Sequence, residues 1–166
     1  MNYACSDRIN TYLSNLALWT VKLHSLHWNV TGRIFVSLHE YTEKLYDEAF
    51  ENYDAVAELL KMRDQFPLCT MAEYLKHATL KEAPAAVFTC CEVVQMVEDD
   101  MKAMRALALE IRNDAAEKDD FAAQSMFEDF VKSFDKQLWF LRAMKKEIPA
   151  PEAAESCSTS GCGCSK

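Results

Sequence analysis

Apolar residues recur along this chain at steps of three and four, the period of an α-helix that buries one face. Ile9, Leu13, Leu16, Thr20, Leu23 and His27 predict a first helix over about residues 7–30, and Thr31-Gly32 supplies its stop. Leu38, Tyr41, Leu45, Ala49, Tyr53, Val56 and Leu60 predict a second over about residues 37–63. Ser37 is its expected N-cap, with Glu40 three residues on at the capping-box spacing. Asp64-Gln65-Phe66-Pro67 ends that helix, and a short one over residues 71–77 falls in the connection that follows. Val87, Cys90, Val94, Val97, Met101, Met104, Ala108 and Ile111 predict a third long helix, expected to start just after Ala83-Pro84. Phe127, Phe130, Phe134, Leu138 and Leu141 predict a fourth over about residues 120–146.

The link between the second and third helices, roughly 20 residues, lets the chain cross over instead of turning straight back. The expected architecture is an all-α, up-down-down-up four-helix bundle with a short extra helix in that long connection. From Pro149 the sequence becomes PAPEAAESCSTSGCGCSK, small and polar, and is expected to be disordered. Two regions result: a bundle over residues 1–148 and a cysteine-containing tail over residues 149–166.

Composition sharpens this picture. Two of the 3 glycines, Gly161 and Gly163, lie in the tail, leaving Gly32 alone in the body. Sandwiches and barrels need a turn residue every few positions, and dinucleotide or P-loop sites need clustered glycines, so both classes are excluded. A formal net charge of −8 speaks against a nucleic-acid stripe. There is no basic-then-apolar leader and no uninterrupted apolar run of membrane-spanning length. A cytoplasmic protein is expected, with its 7 cysteines reduced.

Candidate chemistry gathers in one place. Three of the 4 histidines, His24, His27 and His39, fall close together, and Glu43, Asp47, Glu51, Asp54 and Glu58 follow on the second helix. Taken singly, such acids read as a solvated helix face; together with imidazoles they suit Fe, Mn or Zn. His39 and Asp54, fifteen residues apart on one helix, are separated by about 22 Å along its axis. They cannot share one ion within a chain, whereas Asp54 and Glu58 lie on one helix face. All four act together only if the second helices of two chains run antiparallel across a twofold axis, giving two equivalent sites. A bundle-internal di-iron site built on Glu-x-x-His is not expected, because the chain contains no such motif.

The segment LHSLHWNVTGRIFVSLHEYTEKLYDEAFENYDAVAELL, residues 23–60, resembles the signature of the Dps family of mini-ferritins. FPLCTMAEYLKHA resembles that family's short middle helix and FDKQLWFLRAM its last one. The resemblance implies a ferritin-like bundle assembled as a hollow dodecamer, with ferroxidase sites between subunits. It implies oxidation of Fe(II), preferably by hydrogen peroxide, and storage of a ferric mineral. On this chain the implied ligands are His27 and His39 from one copy and Asp54 and Glu58 from the other. Glu43 is a further carboxylate, where the family commonly has aspartate. Trp28 matches a tryptophan beside the iron, either an electron donor or a packed interface ring, and His24 is expected to support His27. Asp120 matches one acid of the family's pore, but Ser125 stands where many members carry another. Direct DNA binding is not expected: the N-terminal extension has no lysine, and Lys166 is the sole base after Lys146.

Alternatives stay open at this level. A Zn- or Mn-binding helical shell would use the same donors; a DNA-protecting protein with little ferroxidase activity is the other alternative, and a helical adaptor would have no reason to carry His27, His39, Asp54 and Glu58 together. The tail's Cys157, Cys162 and Cys164 could bind Zn or Cu(I), cross-link subunits, or be incidental.

Overall fold

In the computed structural model, which describes residues 3–146, the four predicted long helices form. They are α1 (Ser6–Asn29), α2 (Phe35–Lys61), α4 (Cys90–Glu117) and α5 (Phe121–Met144), with α3 (Met71–His77) inside the long connection. The tail expected over residues 149–166, with Cys157, Cys162 and Cys164, lies outside the described residues.

Helix directions follow from what meets at each end. Ala4 and Cys5, before α1, donate backbone N–H groups to Asp120 and Asp114 at the far end of α4. At the other end Val30 pairs with Phe88, just before α4, so α1 and α4 are antiparallel. Tyr41 bonds Gln137 and Ser133 bonds Glu48, which sets α2 antiparallel to α5. The result is up-down-down-up, with the connection running the length of the bundle. Two buried or partly buried asparagines of α1 pin that connection: Asn10 accepts from the Leu68 N–H, and Asn15 accepts from those of Thr79 and Leu80. These are the residues that interrupt the apolar run of the first helix.

The predicted stripes form the core. Tyr12 sits edge-on to Phe127 at 5.0 Å and stacks on Phe130 at 5.5 Å, and Trp19 meets Phe134. Lys22 and Asp100 make a buried ion pair at 2.7 Å between α1 and α4. No helix among the described residues is long and apolar enough to cross a membrane.

Two helix starts differ from expectation. α2 begins at Phe35 with no side-chain cap, because its N-cap residue is Ile34, whose side chain has no acceptor; the Phe35 N–H bonds the Gly32 carbonyl, and Ser37 lies inside the helix. α4 begins at Cys90 and not after Pro84. Phe88–Thr89 is extended, pairing in parallel with Val30–Thr31 as a two-residue strand pair, β2 with β1. Thr89 then caps the helix in a capping box with Glu92, and Val87 is exposed.

Candidate metal centre

The end of α1 and the start of α2 are joined by five residues that must reverse the chain, and Gly32 makes this possible. Its φ of +130° is one that L side chains rarely adopt, and a Cβ there would lie 3.0 Å from Cys90 Sγ. The Cys90 thiol donates to the Thr31 carbonyl, and the Thr31 hydroxyl donates to the Phe88 carbonyl. The strand pair and these bonds fasten the α1–α2 bend against the start of α4. The bend in turn brings His27 and His39 face to face.

The two imidazoles stack with centroids 3.6 Å apart and planes 19° from parallel. His27 Nδ1 lies 2.8 Å from the His39 backbone oxygen, and His39 Nδ1 lies 3.0 Å from that of His27. A carbonyl can only accept, so both Nδ1 atoms carry the proton. In the neutral rings both Nε2 atoms are therefore left as lone-pair donors, the tautomer a metal ligand requires. Thr42 packs under the pair, its hydroxyl bonding the Leu38 and His39 carbonyls.

Aromatic side chains surround the histidines. Phe35 stacks on His39 at 5.2 Å, and Tyr46 meets His27 edge-on at 5.3 Å. His24 stacks on Tyr46 at 3.7 Å and reaches Trp28 at 5.5 Å, with its Nδ1 donating to the Thr20 carbonyl. Trp28 is 69% exposed on the same side. Partial desolvation, then the neighbouring Glu43 and Asp47 carboxylates, push the Tyr46 phenol above its ordinary value. Tyr46 was not among the residues singled out by spacing, although it falls seven residues after His39 and so on the same face of α2.

The carboxylates stand elsewhere. Glu43, Asp54 and Glu58 are exposed on α2, and the latter two lie four and five helical turns beyond His39. Among the described residues no three His, Cys, Asp or Glu side chains of one chain converge to hold a metal ion. The structure thus brings His27 and His39 together and keeps Asp54 and Glu58 apart from them. Between the two groups, Phe50 is 63% exposed near the middle of the strip. Exposed Ile34, Phe35 and Val36 extend the apolar surface beyond its histidine end.

Asp120, the acid matched to the family's pore, has its partners within the chain. It is buried, accepts from the Ala4 and Ala123 N–H groups, and pairs with Arg63 at 2.7 Å. That carboxylate is engaged in joining the chain start, α2 and α5. Ser125 is exposed.

Comparison with known proteins adds a family context. Residues 6–150 match the model of the ferritin-like domain. A DNA protection during starvation protein of Brevibacillus brevis is 34% identical over 135 residues, covering 81% of this chain and 90% of that protein. The crystal structure of a Dps protein from Bacillus brevis superposes with a TM-score of 0.82 at 33% identity, covering 85% of this chain and 94% of the other. A crystal structure of Listeria innocua Dps carries two histidine-to-glycine substitutions twelve residues apart. It superposes with a TM-score of 0.81 at 28% identity, covering 86% of this chain and 95% of that one.

Proposed function

The chain belongs to the Dps family of ferritin-like proteins, and on that premise we propose that it is a cytoplasmic iron-storing mini-ferritin. It oxidises Fe(II), with hydrogen peroxide as the preferred oxidant, at sites shared between two copies of the chain. The observation that supports this most is the reciprocal bonding of His27 and His39, which leaves both Nε2 atoms of the stacked pair unused, beside the exposed Trp28 and Phe35. The twelve-residue spacing of the histidines replaced in the Listeria innocua protein is also the spacing of His27 and His39.

In this reading Fe(II) is the substrate. His27 and His39 bind it through Nε2, and Asp54 and Glu58 of a second copy complete the donor set, with Glu43 as a further carboxylate near His39. Neutral nitrogen donors accept Fe(II), and anionic oxygen donors favour the Fe(III) product because a hard ligand prefers the higher charge. Each Fe(II) gives up one electron, and hydrogen peroxide takes two, so two iron ions are oxidised per peroxide. With two further waters the products are two FeO(OH) units and four protons. Carboxylates at the site accept the proton load on the way to solvent. Zn(II) fits the same donors without changing oxidation state and acts as a competitor.

A twofold pair supplies two such sites, and a hollow dodecamer built from six pairs would hold the mineral. Direct DNA binding is not part of this proposal, since Lys166 is the sole base after Lys146. The test is the growth of ferric absorbance after peroxide is added to protein loaded anaerobically with Fe(II). His27→Ala/His39→Ala should slow it by at least about tenfold; equal rates in both proteins would overturn the site.

A further inference from the structure

Between α1 and α3 the long connection leaves a groove of about 200 Å³. Leu18 and Val21 of α1 and Met71, Tyr74 and Leu75 of α3 line it, and Val21, Met71 and Leu75 are exposed. Lys22 borders the groove, but its ammonium is engaged by Asp100, which leaves the Glu82 carboxylate as the charged group of the lining. Trp28, two turns beyond Val21 on the same stripe of α1, is exposed as well.

The register of a shared site decides what meets this groove. With His39 facing Glu58 of a second copy and Glu43 facing its Asp54, both pairings have one midpoint, between Glu48 and Ala49. The twofold axis crosses α2 there. Thr20 and His24 share a cleft with Tyr46, Asp47 and Phe50, so the same axis passes α1 near Val21. The Tyr53 hydroxyl donates to that of Tyr74, which sets α3 beside Tyr53, about 7 Å from the axis along α2. Trp28 lies about 10 Å from it in the opposite direction, and its side chain leans back toward the N-terminus of α1. Rotation about the axis exchanges the two directions. Each Trp28 ring thus arrives level with α3 of the other copy.

We propose that Trp28 of each copy seats in the groove between α1 and α3 of a second copy of this chain. The inference rests on the shared site proposed above, which sets the register. Leu18, Met71 and Leu75 receive the apolar body of the indole, and the Glu82 carboxylate accepts from its N–H. Seated there, Trp28 ties the end of α1 that carries His27 to the connection of the other chain. α3, which holds none of the metal donors, then forms part of the wall around them.

Photo-cross-linking of the full, metal-free chain reads this contact without iron. Trp28→p-benzoylphenylalanine carries a ketone that, on irradiation, bonds to a neighbouring C–H carbon. The irradiated protein should give covalently joined pairs of chains on a denaturing gel, with the link mapped by peptide mass to residues 71–75. Leu75→Glu in the same protein should abolish that link. Trp28 emission, taken as the difference between wild type and Trp28→Phe, should be blue-shifted and shielded from acrylamide, and Leu75→Glu should shift it to the red. Links confined to a single chain, or joining two chains only through other segments, would overturn the seat. Because the map needs no iron, its failure beside undiminished iron oxidation removes the seat and leaves the shared site standing. The expected map without iron oxidation does the reverse.

Discussion

Single residues at the helix ends explain how a body with one glycine can turn. α2 and α4 both close in Schellman motifs: Gln65 N–H bonds the Leu60 carbonyl and Asp64 N–H that of Lys61. Asp120 and Asp119 bond Ala115 and Ala116 in the same way. The left-handed position usually given to glycine is held by Asp64 (φ 55°) and Asp119 (φ 54°), an aspartate conformation that is tolerated. Gly32 is different, since φ +130° combined with the 3.0 Å approach to Cys90 Sγ admits no side chain without movement. Gly32→Ala should therefore cost about 1–3 kcal/mol, read from the urea midpoint. Because the same bend stacks His27 on His39, iron oxidation should fall with it. An unchanged midpoint would show that the bend relaxes freely.

At the scale of elements, capping boxes fix the starts of α3 and α4 and give the fold an acid-sensitive component. Thr70 with Glu73 and Thr89 with Glu92 are complete capping boxes at the starts of α3 and α4. The Glu92 carboxylate is held below its ordinary 4.5, first by the Thr89 backbone N–H and then by its hydroxyl. A lowered folded value means that its stabilisation is present above pH 4.5 and is lost as pH falls through the folded value. Glu92→Gln should lower the melting temperature at pH 7, and the difference from wild type should close in stronger acid. A difference that persists unchanged in acid would assign the effect to something other than the ionised cap.

The four long helices and α3 were legible in the sequence because apolar periodicity reports a buried face directly. The starts of α2 and α4 were not: α2 begins directly after the Gly32 bend without any side-chain cap, and α4 waits on a contact distant in sequence. Val30–Thr31 pairing with Phe88–Thr89 holds the chain extended where local pattern continues a helix, and Val87 consequently faces solvent. At the site, the helix rise alone separated His39 from Asp54. The stacking of His27 on His39 and their exchanged backbone bonds depend on the exact path of the bend, which no spacing encodes. The burial of Asp120 was hidden for the same reason, since Arg63 and Ala4 reach it from elements far away in the chain.

At the scale of the whole molecule, the proposed chemistry needs a second copy. The α2 strip carries His39 at one end, Asp54 and Glu58 toward the other, and exposed Phe50 near its middle. An antiparallel pair would place Phe50 close to the twofold axis, where burying it from both copies contributes about 1.5–3 kcal/mol each. Phe50→Glu should shift the native mass toward single chains, preserve helicity and abolish peroxide-driven iron oxidation. Retention of paired chains would place the interface elsewhere.

A shared site is tested most directly by complementation between two inactive variants. His27→Ala/His39→Ala keeps the carboxylates, and Asp54→Ala/Glu58→Ala keeps the histidines. Co-expressed, half of the pairs are mixed, and each mixed pair holds one intact site of two. The mixture should then recover about one quarter of the wild-type rate of ferric absorbance growth, well above either parent. A mixture no faster than its parents would contradict a site divided between two chains.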